Sequence, residues 1–287
     1  MDLIYEVKDP AQRDERAVEL FLANLNCEGT RRVYSREVRL FQNLVQKPLA
    51  QVELEDILRF KESLHSLKPA TVARKLVIIK ALLTFAHDQR FIVSNPARLI
   101  KVPRVHQQPL EILSIEEAEA LLRSPDRRTL QGKRDHAVLA LLLATGLREA
   151  ELCALDLGDI NQKWSHRVLT VRKGKGGKPR FMNLPERVWT ALEAYLEVRG
   201  RVEAGPLFLT LGKRGISPAR ITPRAVDHLV KVHAKRALIT KKVTTHILRH
   251  CALSFALAAG ATPAEVRELA GHSSLTVTNR YVHTVHG

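Results

Sequence analysis

Apolar residues recur at helical spacing along most of this chain, and only one short stretch has the marks of paired strands. Tyr34, Val38, Phe41 and Leu44 fall three and four residues apart after Thr30, whose side chain suits a helix cap. A second helix is expected over Leu54 to Leu64. A third is expected from Thr71, with Val72, Leu76, Ile79, Leu82 and Phe85 as its apolar stripe. Asn95-Pro96 ends this run. Lys101-Val-Pro103-Arg-Val-His-Gln-Gln-Pro109 then reads as an extended linker, because prolines and polar side chains resist packing.

Beyond the linker, Ser114 and Glu117 have the spacing of a capping box ahead of Ala118, Leu121 and Leu122. A more apolar helix covers Ala137 to Ala144 and is broken by Thr145-Gly146. Arg148 opens the next helical segment, in which Leu152, Leu155 and Leu157 share an apolar face. Val168 to Val171 and Arg180 to Leu184 read as strands around Gly174-Lys175-Gly176-Gly177, a hairpin and the one clear sheet signal. Pro185 opens a helix through Trp189, Leu192, Tyr195 and Leu196, whose aromatics are expected in or beside the core. The apolar segment at Phe208 is too brief to classify. Thr222-Pro223 caps a helix carrying Val226, Leu229, Val230 and Ala234 beside Lys231, Lys235 and Arg236. His246, Arg249 and His250 stand at i, i+3 and i+4, on one side of a helix that ends near Gly260. Thr262-Pro263-Ala264-Glu265 begins another. The pattern predicts a mainly α chain with a small β-hairpin.

Charge narrows the partner. The 287 residues suffice for two ordinary domains, and a formal charge of +16 with a pI near 10.1 makes polyanions the natural ligands. Between residues 61 and 104 there are nine Lys or Arg against two acids, and between 163 and 180 seven against none. Those biases suggest faces presented to phosphates. Cys27, Cys153 and Cys251 form no metal-binding pattern and are expected to be buried thiols in a reducing compartment. No eighteen-residue uncharged span occurs, and the acidic start is no signal peptide, so a cytoplasmic location with no membrane partner is expected.

The chemistry lies in scattered donors and one late phenol. Arg148, Lys175, His246, Arg249 and His272 can each donate to a phosphate, and Tyr281 supplies an oxygen nucleophile. No carboxylate or cysteine cluster has metal-ligand spacing. The glycine-rich turn lacks the following Ser/Thr and the strand–loop–helix setting of a Walker loop. The expectation is phosphoryl transfer on a nucleic acid without metal or other cofactor.

Ala-Thr-Gly-Leu-Arg148-Glu-Ala-Glu151-Leu, Gly174-Lys175-Gly-Gly-Lys178-Pro-Arg180, His246-Ile-Leu-Arg249-His250, Ala-Gly-His272-Ser-Ser-Leu and Tyr281 resemble, in this order, the motifs of the tyrosine recombinases. The chain is most similar to the compact Xer-type members of that phage-integrase family. The resemblance implies a helical core-site-binding domain (residues 1–102), a linker (103–111) and a mixed α/β catalytic domain (112–287), together forming a clamp around duplex DNA. It implies that Tyr281 attacks a phosphodiester to give a 3′-phosphotyrosyl enzyme, with Arg148, Lys175, His246, Arg249 and His272 as the other catalytic residues. Glu151 and His250 would support them. Lys173, Lys178, Arg180, Arg224, Lys231 and Lys235 are expected to contact DNA.

The resemblance further implies paired core sites, arranged as inverted repeats, held by a homo- or hetero-tetramer that exchanges strands through a Holliday junction. Two features depart from the usual pattern. Ala270 stands where leucine is common, and only six residues follow Tyr281, where Xer-like chains continue into a helix that docks on a neighbour. Either the chain is truncated or its protomers communicate through another surface. The competing readings are a type IB-like topoisomerase and a catalytically silent DNA-binding protein on the same fold; a metal nuclease ranks last.

Overall fold

Local capping rules account for most of the helix starts. The computed structural model describes residues 9–103, 111–163, 166–172, 179–200, 203–212 and 215–271. They belong to two compact units, Met1–Gln108 and Pro109–Gly287.

The first unit is helical. Asp9 accepts from the Ala11 N–H and starts α1 (Pro10–Ala23). It is followed by α2 (Glu28–Val45), α3 (Leu54–Ser63) and α4 (Pro69–Asp88). Val38, Phe41, Phe60, Leu76, Ile79 and Leu82 fill the core, with the Phe41 and Phe60 rings edge to face at 5.2 Å. Glu37 on α2 is fully buried and pairs with the buried Lys75 on α4, so one ion pair ties the two longest helices of the unit together.

The helix cap expected at Thr30 falls instead at Cys27, and α4 starts two residues before Thr71, at Pro69. Proline fits a first helical turn because its missing N–H would have had no partner there. Cys27 is also exposed, contrary to expectation, because a capping position lies outside the packed face. Cys153 and Cys251 are buried thiols.

In the second unit, Ser114 and Glu117 make the reciprocal box that opens α5 (Ile115–Arg123). The central element is α6 (Leu130–Thr145), whose Ala137, Val138, Leu139, Leu141 and Leu142 have no exposed surface. A Cβ at Gly132 would lie 1.9 Å from the Asp126 carbonyl oxygen, so only glycine lets this helix begin against that turn. Gly146 ends α6 in the left-handed conformation, and α7 (Glu149–Ala154) follows.

Strands β1 (Ile160–Lys163), β2 (His166–Val171) and β3 (Arg180–Asn183) form an antiparallel sheet in that order, with Val171 opposite Arg180. The expected hairpin is thus flanked by an additional strand. A second hairpin, β4 (Leu209–Gly212) with β5 (Gly215–Arg220), lies after α8 (Glu186–Arg199). Its first strand takes in the segment left unclassified beside Phe208, which buries its ring against Tyr195 at 5.6 Å. Among the described residues three helices follow: α9 (Pro223–Arg236), α10 (Thr245–Ala258) and α11 (Pro263–Ala270).

A buried polar chain knits α5, α6 and α9. The Asp135 carboxylate accepts from Arg134 Nε at 2.9 Å and Nη2 at 2.7 Å, and lies 3.0 Å from His233 Nε2. The other ring nitrogen of His233 is 3.0 Å from the Ser124 hydroxyl. Ser124 donates to the Leu121 carbonyl at 2.8 Å, so its hydroxyl hydrogen is already engaged and the trio braces the three helices.

Candidate active site

The left-handed turn at Gly146 brings Arg148 to the N-cap of α7. There Glu151, one turn on, accepts from the Arg148 backbone N–H and from its Nη1, both at 2.9 Å. The same carboxylate takes both terminal nitrogens of Arg180, Nη1 at 3.0 Å and Nη2 at 2.7 Å, from the first residue of β3. Burial pushes the Glu151 carboxyl up, but hydrogen bonds and positive charge from Arg180 and Arg148 hold it below the ordinary carboxylate value. Glu151 is therefore ionised at neutral pH, and two arginines share its single charge.

Arg249 reaches the same place from α10. Its Nη1 donates to the Gly146 carbonyl and its Nη2 to the Ala270 carbonyl at 2.5 Å. Arg148 Nη2 is 3.4 Å from the next carbonyl, that of Gly271. Two arginines remote in sequence thus converge on one turn, Ala270-Gly271, at the C-terminus of α11. Gly271 has φ +58°, and a Cβ there would lie 3.1 Å from Arg180 Nη1 and 3.7 Å from Arg148 Nη1. Its backbone rests directly on both guanidinium groups.

His246 and His250 face each other across one turn of α10, with Nε2 to Nε2 at 2.9 Å and the rings nearly perpendicular. One ring must donate and the other accept, so the contact does not survive protonation of both. Burial, then the charge of Arg249, holds the His246 imidazole below its ordinary value. Thr245, beside it, donates to Glu149 at 3.0 Å, which fastens the start of α10 to α7.

The structure thus brings together Arg148, Glu151, His246, Arg249 and His250. Lys173, Lys175, Lys178, His272 and Tyr281 lie outside the described residues. Among the described residues no group of His, Cys, Asp and Glu could hold a metal ion. The donors gathered here are cationic and suit an anion.

Arg180 departs from expectation. It is buried, not turned to a DNA surface, because both of its terminal nitrogens are taken up by Glu151. Arg224, Lys231 and Lys235 are exposed along one ridge of α9, where Lys231 is also paired with Asp227 at 2.5 Å. Arg172, at the end of β2, is held by Asp156 and Asp159, which anchors the base of the lysine-bearing hairpin.

A second basic surface escaped the sequence reading. Arg32, Arg36 and Arg39 project from the exposed side of α2, lining an open concavity with Arg31 and Leu40. Their i, i+4, i+7 spacing was visible, but acids at Glu28 and Glu37 mask the charge bias in a simple count.

Comparison with known proteins identifies the chain's relatives. The phage integrase family matches residues 111–286. Tyrosine recombinase XerC of Myxococcus xanthus is 38% identical over 219 residues, covering 74% of this chain and 71% of that protein. Tyrosine recombinase XerD of Staphylococcus haemolyticus is 30% identical over 269 residues, covering 89% and 88%. In fold, the chain is similar to a lambda integrase whose tetramer was crystallised on a Holliday junction, with a TM-score of 0.76, 15% identity, and coverage of 94% of this chain and 76% of that one. With its arginines converging on one turn and this breadth of likeness, the chain belongs to the phage integrase family of tyrosine recombinases.

Proposed function

We propose that the protein cuts and rejoins duplex DNA at specific sites through a 3′-phosphotyrosyl intermediate. The observation that carries this reading is the convergence of the Arg148 and Arg249 forks on the Ala270-Gly271 turn, directly ahead of His272. Backbone carbonyls occupy the donors in the free protein. A phosphodiester is a stronger, anionic acceptor whose two nonbridging oxygens suit the guanidinium fork, and it would take their place.

In this reading the Tyr281 oxygen attacks the scissile phosphorus, and the bond to the 5′-oxygen breaks. Arg148 and Arg249 stabilise the charge that builds on the nonbridging oxygens. Lys175 protonates the departing 5′-oxygen. His246 orients or deprotonates the nucleophile, His272 donates to a nonbridging oxygen, and Glu151 keeps Arg148 in place. The phosphotyrosine linkage conserves the energy of the broken bond, so a 5′-hydroxyl from a partner strand reseals it without ATP or metal.

The residues around Arg224, Lys231 and Lys235 on α9 and Lys173 and Lys178 in the hairpin turn bind DNA backbone. The first unit, through the arginine face of α2, binds the core site. Residues 1–102, 103–111 and 112–287 then serve as core-site-binding domain, linker and catalytic domain. The protein works as a tetramer, of one or two kinds of subunit, on paired sites related by inverted repeats. It does so in the cytoplasm, where such DNA resides; among the described residues no helix is long and apolar enough to cross a membrane.

Joint-molecule formation tests the reading. Two differently labelled duplexes bearing the site should yield recombinant joints and a Holliday intermediate. Relaxation of supercoils without joints would favour a topoisomerase. Specific binding without either would favour a silent DNA-binding protein.

A further inference from the structure

Arg180 is the first residue of β3, two places beyond Lys178 in sequence. Its planar fork meets both oxygens of Glu151 at 3.0 and 2.7 Å, and the pair is buried. The same carboxylate holds the Arg148 backbone and guanidinium from the other side. Arg180 Nε is buried with no hydrogen-bond partner among the described residues, so the side chain keeps its position at the expense of one donor. The Gly271 backbone lies against this guanidinium so closely that a Cβ there would stand 3.1 Å from Nη1, and the guanidinium would have to give by a few tenths of an ångström. One residue of β3 therefore touches two other elements: the first turn of α7, whose cap carries Arg148, and the Gly271 turn that ends α11.

We propose that Arg180 is a positioning residue for strand cleavage, which acts through Glu151 to fix the Arg148 fork and registers the lysine-bearing hairpin and the Gly271 turn against it. The inference rests on the recombinase reading for its activity readout. The chemistry follows from charge and shape. Without Arg180, Glu151 is free to draw Arg148 into a closed, two-oxygen pair, and the fork turns away from an incoming phosphate. A lysine cannot substitute, because a single ammonium does not span both carboxylate oxygens.

The test uses the full chain and a nicked duplex carrying its site. Arg180→Gln, Arg180→Lys, Glu151→Gln and the Arg180→Gln/Glu151→Gln double variant are compared with wild type for the rate of tyrosyl-adduct formation. Arg180→Gln should cleave on the order of 10²-fold more slowly, as expected for a misplaced reacting group. Arg180→Lys should fail to restore the rate. The double variant should fall well short of the product of the two single effects, since both changes remove one relay. Multiplying effects would overturn the proposal.

Two further measurements need no cleavage. The salt dependence of DNA binding should be unchanged in Arg180→Gln, whereas a slope lower by about one would mark a phosphate contact and overturn the proposal. The Arg148 side-chain Nε–H resonance should move in Arg180→Gln and Arg180→Lys; an unmoved resonance would also overturn it. If wild type forms no adduct, the recombinase reading falls, while the resonance and the salt slope still decide the role of Arg180.

Discussion

Gly146 and Arg249, 103 residues apart in sequence, meet through a hydrogen bond from the guanidinium to the glycine carbonyl. Gly146 occupies the left-handed region at φ +59°, and a Cβ there would approach Ala252 Cβ at 3.4 Å. The glycine ends α6, aims the chain toward Arg148 and supplies the perch for Arg249. Gly146→Ala should lower stability by about 1–2 kcal/mol, the cost of placing an L-residue in that region. It should slow adduct formation further than the stability change explains, because both arginines are displaced. Thermal unfolding together with single-turnover cleavage separates the two effects.

The His246 imidazole gives the second prediction. Its value is lowered in the folded state from an ordinary 6.5 by burial and by Arg249. Above that ordinary value both states are neutral at this ring, and its contribution is level. As the pH falls below it, the unfolded chain binds the proton first, so stability declines until the folded value is passed. His246→Asn should flatten this part of the urea midpoint curve below about pH 6.5. His136, also lowered by burial and by Arg127, leaves a residual slope in the variant.

The brace around Asp135 should prove structural. Asp135→Ala strands the buried Arg134 charge and removes the partner of His233. A loss of about 3–5 kcal/mol is expected from breaking such a buried pair on one side. Urea unfolding measures it; a change below about 1 kcal/mol, the size of an exposed pair, would show the network to be loosely held.

DNA affinity should divide between the units. Arg39 on α2 and Arg224 on α9 are exposed and form no ion pair among the described residues. Arg39→Ala and Arg224→Ala should each weaken binding and reduce the slope of log affinity against log salt by about one. An unchanged slope in either would remove that residue from the DNA surface.

Much of this was legible in the residue order, because the signals were local. The Ser114–Glu117 box, the Gly146 break, the Thr222-Pro223 and Thr262-Pro263 starts and the i, i+3, i+4 grouping in α10 each depend on neighbours within one or two turns. What the sequence hid was long-range. Whether Arg180 faces phosphate or carboxylate is decided by Glu151, which its own strand gives no hint of. Strand β1 and the β4–β5 hairpin were missed because such short pieces owe their form to pairing rather than to propensity. Cys27 was misread because an apolar-looking neighbourhood does not distinguish a cap from a packed face.

The central claim is that Tyr281 becomes joined to DNA. Wild type and Tyr281→Phe should be incubated, in chelator, with a random duplex library containing nicks, since a fragment released beside a nick diffuses away and traps the adduct. A 3′-linked adduct in wild type only, recovered on DNA with a recurring inverted repeat, is the predicted result. Specific binding of intact wild-type protein with no adduct, or an equal adduct with Tyr281→Phe, would contradict it.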